Sequence, residues 1–317
     1  MEFRVGSFNL RNLTIPNFRF YENLIYSQEE YHQKIHWCSQ QLQNMNADIV
    51  SFQEVFHSQP LKELCIRSGL YGTNPNIICP SCDEEEPRVA LLSTFPIIEW
   101  KQHTELPHSC QTEEFVSFRR PFIEAIIEIP IANSTQLVRV FSVHLKSKRA
   151  LMVDEDPLEI EGVCKGLARS LRLRAQEAIG IRNIIQQRIE IPTIVMGDFN
   201  DTAGSVTSQI IRGPYLHSDH PKEIIEKFAQ SRLSNTHEIA RRRSSQDMNY
   251  TYVFNGQYET VDHIFVSNHF RHPNGKIVHY QTYTDHLMDR KDSMQPVHTS
   301  DHGQVVATLD LFSQGIQ

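Results

Sequence analysis

At residues 194–201 the chain reads IVMGDFND: an apolar run stops at Gly197 and gives way to Asp198, Asn200 and Asp201. Gly, Asp and Asn are ordinary turn residues, so one such stretch decides nothing. The pattern recurs. FRVGSF leads into Asn9 and then Arg11, DIVSFQEV reaches Gln53 and Glu54, RVFSVHLKS runs through His144 to Lys146, ETVDHIFVS holds Asp262, and Asp301 and His302 precede QVVATL. Nearly every strongly apolar segment gives up an acid, an amide or an imidazole at or near one end. Converging carboxylates and carboxamides suit a hard divalent cation such as Mg2+, which takes oxygen ligands from a few carboxylates and from substrate phosphate. Glu54 is the leading candidate ligand. His144, and His302 with Asp262, would add a base for water and cationic donors for phosphate oxygens.

To bring these groups together the segments must be strands that end at a common rim. Alternation and β-branched content predict strands over Phe3–Leu10, Asp48–Phe52, Val89–Ser93, Phe122–Ile129, Leu137–Leu145, Thr193–Gly197, Thr260–Ser267 and Gln304–Leu309. A helix is expected over Glu29–Asn46, with Tyr31, Ile35, Cys38, Leu42 and Met45 on one stripe. A second is expected over Lys165–Arg188, with Leu167, Leu171, Ala178, Ile181 and Ile185 inward and Arg172, Arg182 and Arg188 outside. The polar stretches 153–164 and 212–250 read as surface loops or short helices. No repeat or low-complexity linker divides the chain, so one domain over 1–317 is expected. Of the dipeptides Asp219-His220, Asp285-His286 and Asp301-His302, only the last leads through a short turn into an alternating strand. The other two are expected as surface histidines or substrate contacts.

Composition sets bounds on partners. The 317 residues carry a formal charge of −7, so the surface as a whole does not attract polyanions, and an anionic substrate needs a local basic patch or metal ions. No apolar run approaches the length of a membrane span, and MEFRVGSFNL lacks the basic and apolar regions of a cleaved signal peptide. A cytoplasmic protein is the expectation, as is a monomer. Six cysteines in a chain of this size fit a reducing compartment. Cys79 and Cys82 have knuckle spacing, and Cys65 and Cys110 would have to complete a four-sulfur zinc site.

Taken in order, Asn9 in SFNLR, DIVSFQEV, FSVHL, MGDFN, VDHIFVS and SDH resemble the successive motifs of the endonuclease/exonuclease/phosphatase superfamily, the deoxyribonuclease I-like group. The resemblance runs from residue 5 to about 309. It implies a four-layer α/β sandwich, two mostly antiparallel sheets packed face to face with helices outside, and a phosphoesterase site at one rim that uses Mg2+ (or Mn2+). It also implies that Glu54 is the principal metal ligand, with Asn9, Asp301 and Asp198 near the metal. His302, oriented by Asp262, would be the general base or a cation on the phosphate, with Asp198 the rival base. Asn200 and His144 would contact the scissile phosphate, and Arg119 in SFRRPFIEA would clamp it, Arg120 being the rival by one position.

The branch of the superfamily is less sharply marked. Inositol phosphatases follow their G-D-x-N with Tyr-Arg, where this chain has Asp201-Thr202, and AP endonucleases carry an acid where it has Arg11. A secreted sphingomyelinase would bring a signal peptide and an exposed aromatic hairpin; neither is visible. VDHIFVS is close to the nuclease and deadenylase forms. A nuclease acting on DNA or RNA is therefore the working reading, with Arg11, Lys146, Lys148, Arg149 and Arg241 to Arg243 as basic candidates for the backbone. A phosphatase or phosphodiesterase on a nucleotide, sugar phosphate or lipid headgroup is the alternative, since one site serves all of them. An inactive binding module is a third reading, disfavoured because competent residue types fill every expected position.

Overall fold

Alternation in the first strand decides where the rest of the chain packs. In Glu2–Leu13, Phe3 and Val5 point into one apolar core while Phe8 and Leu10 point into another, as a period of two requires. The computed structural model describes residues 1–20, 24–80, 86–132, 134–216, 219–241, 250–289 and 296–312. Within it, two six-stranded sheets share the interior that Phe3 and Val5 enter. The first sheet is ordered Gly275–Tyr283, Gln304–Leu311, Glu2–Leu13, Ile49–Val55, Arg88–Ser93, Ile77–Ile78. The second is ordered Ser234–Asn235, Asp262–Val266, Thr193–Asp198, Ser134–His144, Ser117–Ile131, Ile97–Glu105.

Each sheet contains one parallel pair, Glu2–Leu13 with Ile49–Val55 and Thr193–Asp198 with Ser134–His144, and is otherwise antiparallel. A parallel pair needs a long crossover, and helices supply both. Gln28–Met45 makes the first, covering the outer face of the first sheet with Tyr31, Ile35, Cys38, Leu42 and Met45 buried as the stripe requires. Its start is fixed by a capping box: the Ser27 hydroxyl accepts from the Glu30 amide at 3.2 Å, and the Ser27 amide donates to the Glu30 carboxylate at 2.8 Å. Losing such a cap costs about 1 kcal/mol. Ile160–Gln186 makes the second crossover over the other sheet. The result is the expected four layers.

All eight expected strands form, with ends shifted by a few residues. The edge strands Ile97–Glu105 and Gly275–Tyr283 were not expected; the first of them is largely exposed and so lacks a buried face to alternate. In the long helix Ala178, Ile181 and Ile185 face inward as expected, but Leu167 and Leu171 are 46% and 52% exposed. The reason lies in Gly162 and Gly166. A Cβ on either would collide with the segment 150–156, so the first turns pack their glycine face, not their leucine face, against that segment. Arg182, expected outside, is only 7% exposed and donates to the Ser231 hydroxyl at 2.7 Å.

Cys65 is buried beneath the first sheet's helices and Cys110 beside the long helix on the opposite outer face, so those two cannot complete one zinc site. Cys79 is half-buried, and Cys82 lies outside the described residues. Among the described residues no helix is long and apolar enough to cross a membrane.

Candidate active site

The strand Thr193–Asp198 brings its polar end between two others. Asp198 is the register partner of His144 on its parallel neighbour and of Asp262 on its antiparallel neighbour. All three share the face that carries Ile194, Met196, Val140 and Ile264 into the inter-sheet core, so they reach the rim between the sheets. Gly197 allows the approach. It has φ +151°, and a Cβ there would overlap the Val143 carbonyl.

Across the gap the first sheet supplies Asn9, whose Nδ2 donates to Asp198 Oδ2 at 3.1 Å. Asn200 Nδ2 reaches the same oxygen at 3.3 Å, His144 Nε2 lies 3.3 Å from it and His302 Nε2 3.7 Å. The Asn200 amide donates to the other oxygen, Oδ1, at 2.8 Å. Burial alone would raise the Asp198 pKa, but the charge of His302 and the hydrogen bonds from His144 and the Asn200 amide prevail and hold it well below the usual carboxylate range. His302 Nδ1 lies 2.9 Å from Asp262 Oδ2. Burial disfavours the charged imidazole, but Asp262 and Asp198 outweigh it and push the His302 pKa up to about 10. His144, also buried, is instead lowered from its ordinary value by desolvation and by Arg120, which outweigh Asp198. The site therefore holds one imidazolium and one neutral imidazole at neutral pH.

Loop contacts hold His302 in place. The Ser300 hydroxyl donates to the Asn9 carbonyl at 2.6 Å and accepts from the His302 amide at 3.0 Å. His286, which the sequence suggested as a surface residue, is half-buried, with Nε2 2.9 Å from the His302 carbonyl. Arg11 Nη1 donates to the Pro296 carbonyl at 3.0 Å and its Nε lies 3.9 Å from Asp301. It clamps the segment that carries Asp301 and His302.

Glu54 sits where the register between its strand and both neighbours shifts, with φ +60°. Arg11, Asn12 and Asn200 also have φ between 50° and 61°. Four non-glycine residues in the left-handed region, each costing about 1–3 kcal/mol, mark backbone bent to aim side chains. Glu54 Oε2 accepts from the Asn12 amide at 3.1 Å. Its charge adds to those of Asp262 and Asp198 in favouring protonation of His302.

The arginines divide. Arg119 is exposed and pairs with Glu86. Arg120 Nη1 donates to the Leu145 carbonyl at 2.8 Å, and Asn200 Nδ2 donates to the same oxygen at 3.0 Å. The structure therefore sets Arg120, not Arg119, beside His144 and Asn200. Sequence reasoning also missed Glu177. This buried carboxylate accepts the amides of Arg119 at 2.9 Å and Lys146 at 2.8 Å, locking the arginine strand to the loop after His144. An acid in the inward row Leu173, Glu177, Ile181, Ile184 was its signal. The basic candidates are largely occupied: Lys146 Nζ donates to the Ser147 and Arg149 carbonyls, and Lys148 pairs with Glu259 at 2.7 Å. Arg242 and Arg243 lie outside the described residues, as does the side chain of Arg241.

Asp198, Asp262 and His302 offer ligand atoms within 4.8 Å of one another, a group that could hold a metal ion. Their hydrogen bonds argue for a different placement of a cation. Asp198 Oδ2 already serves several N–H donors and His302 Nδ1 is engaged by Asp262, whereas Glu54 Oε2 accepts from a backbone amide. Of the ligands expected beside Glu54, Asn9 Oδ1 accepts from the Arg11 amide at 3.0 Å and Asp301 lies 3.9 Å from the Arg11 guanidinium.

Residues 7–302 match the sequence profile of the Endonuclease/Exonuclease/phosphatase family. No curated protein matches the chain by sequence. The structure is similar to that of an endonuclease/exonuclease/phosphatase family protein from Bacteroides thetaiotaomicron, at 17% identity and a TM-score of 0.58 over 99% of this chain and 98% of that one. A mannosyl-6-phosphatase from the same organism gives 17% and 0.57 over 97% and 99%. The human Nocturnin catalytic domain with a bound sulfate anion gives 15% and 0.54 over 98% and 94%. At these identities the likeness shows the fold.

Proposed function

The chain belongs to the endonuclease/exonuclease/phosphatase family, a family of phosphoester hydrolases, and from that premise we propose that it cleaves phosphodiester bonds of nucleic acid with Mg2+ or Mn2+. The observation that carries the phosphoester reading is the convergence of Asn9, His144, Asn200 and His302 on Asp198. Polynucleotide is favoured by the hairpin Tyr252–Phe254 and Gln257–Glu259, an exposed aromatic hairpin that was not visible in the sequence because its strands are only three residues long. Tyr252 bridges to His302 through the backbone, its ring 5.1 Å from the imidazole, and Phe254 and Tyr258 stand exposed beside it. Bases stack on exposed rings for about 1–3 kcal/mol each.

A cation on Glu54, Asn9 and Asp301 would supply charge for the phosphate oxygens and acidify a bound water. The chain's own groups complete the reading. His302, held charged by Asp262 and Asp198, offers its Nε2 proton to a nonbridging phosphate oxygen, because 3.7 Å to Asp198 is longer than a hydrogen bond. Asp198, the acceptor at the centre, orients the attacking water, and Arg120, His144 and Asn200 flank the phosphate.

The test is turnover of plasmid DNA, single-stranded RNA, an abasic-site duplex, a bis-phosphodiester dye and mannose 6-phosphate with Mg2+ or Mn2+, alongside His302→Ala and Glu54→Ala. Polynucleotide cleavage lost in both variants is expected. Turnover of monoesters alone would replace the nuclease reading by a phosphatase, and metal binding without turnover would favour a binding role.

A further inference from the structure

A second cleft lies away from the catalytic rim. The strand Asp262–Val266 carries Asp262 at its catalytic end, while Val266 at its other end pairs with Ser234 in the cleft wall. Four residue steps separate those ends by roughly 13 Å. The cleft opens between the edge strands of the two sheets beneath the helix Lys222–Ser231, none of whose residues is buried. Its volume is about 980 Å3, the size that takes a small organic ligand.

Its chemistry is cationic in a chain of formal charge −7. Arg212, Arg232, Arg271 and Lys276 line it against one acid, Glu238. Glu238 is spent on Arg212, which it meets through both oxygens at 2.8 and 2.7 Å. Arg232 donates Nε to the Gly213 carbonyl at 3.0 Å and stacks on the Tyr215 ring, its guanidinium carbon 3.0 Å from the ring centroid. Burial lowers the Arg232 pKa, and Arg212 and Arg271, which line the same cleft, press it further down against Tyr215 and Glu238. Asn235, 1% exposed and in the cleft wall, has an amide Nδ2 with no partner among the described residues.

Cations gathered around a stacking ring describe an anion that carries a flat aromatic group. We propose that this cleft binds a nucleoside phosphate, its phosphates between Arg232, Arg271 and Lys276 and its base against Tyr215, which is 78% exposed. The proposal concerns a place separate from the rim and does not depend on what the rim hydrolyses.

Isothermal titration of ADP and of inorganic pyrophosphate in EDTA tests it, on the wild type, His302→Ala, the double variant Arg271→Glu with Lys276→Glu, and Tyr215→Ala. ADP is expected to bind the wild type and His302→Ala equally. Reversing two exposed charges should weaken it by about tenfold or more, and Tyr215→Ala should weaken ADP while leaving pyrophosphate unchanged. ADP binding that survives the charge reversal, disappears in His302→Ala, or is absent at millimolar concentration overturns the proposal. Pyrophosphate binding equal to ADP and indifferent to Tyr215 would leave an anion site only and overturn the nucleoside assignment.

Discussion

Asp198 and Asp262 are register partners on adjacent antiparallel strands, and His302 lies between them, Nδ1 2.9 Å from Asp262 and Nε2 3.7 Å from Asp198. Two carboxylates around one imidazole make that imidazole a cation. Its pKa is raised from 6.5 to about 10, so its contribution to stability is full below about 6.5 and is lost as pH rises through about 10. If the charged form does the chemistry, kcat/KM should fall on the alkaline side, and Asp262→Asn should move that limb toward lower pH. A pH profile that instead falls as pH drops through the histidine range would restore His302 as the general base. His302→Ala should cost about 10²- to 10⁴-fold in kcat.

Arg120 and Arg119 separate the two candidate clamps in one experiment. Removing a donor aimed at developing charge costs about 10²- to 10³-fold, and Arg120→Ala is expected to show that loss in kcat/KM. Arg119→Ala, which breaks a surface pair with Glu86, should change folding stability by about 1 kcal/mol or less and leave kcat/KM nearly intact. The reverse order would return the role to Arg119.

Metal affinity can be read without turnover. A ligand that binds only the folded chain stabilises it, by about 2.7 kcal/mol at a hundredfold excess over Kd. Mg2+ or Mn2+ should therefore raise the melting temperature of the wild type and leave that of Glu54→Ala unchanged. An equal rise in both would place the ion elsewhere, with Asp198, Asp262 and His302 the next set to vary.

Gly197→Ala is expected to be among the most damaging single methyl additions. The new Cβ would overlap the Val143 carbonyl, and the φ of +151° is one an L-residue rarely adopts. Overpacking and backbone strain together should cost roughly 3 kcal/mol or more, seen as a lowered urea midpoint.

His263 should make the fold acid-sensitive. It is buried, its Nε2 2.9 Å from the Asp201 carbonyl, and burial lowers its pKa to about 4. The unfolded chain takes up the proton at about 6.5, so stability falls as pH drops from about 6.5 to 4. His263→Asn should flatten that part of the stability curve; an unchanged slope would mean that the imidazole is already solvated in the folded state.

Much of this arrangement was legible in the sequence, because a strand's alternation and its polar end are both local properties. The eight expected strands, the first helix, and Asn9, Glu54, His144, Asp198, Asn200, Asp262, Asp301 and His302 all follow from residue types read along the chain. The exposed edge strand Ile97–Glu105 left no periodic trace because it has no buried face. The glycine face of Ile160–Gln186 left none because glycine has no side chain to count.

What only the tertiary structure decided are pairings between distant segments. Arg120 was chosen over Arg119 by which side of one strand meets the Leu145 carbonyl. Glu177 became a lock because two amides 27 residues apart in the chain, those of Arg119 and Lys146, come to its two oxygens. The charge on His302 depends on two carboxylates that lie 40 and 104 positions away along the chain. Residue types and local periods are written along the chain, whereas Coulomb energy and hydrogen bonding act through space. The sequence alone therefore determined which groups could reach the rim, and folding decided which of them hold a proton, a partner or a place for the phosphate.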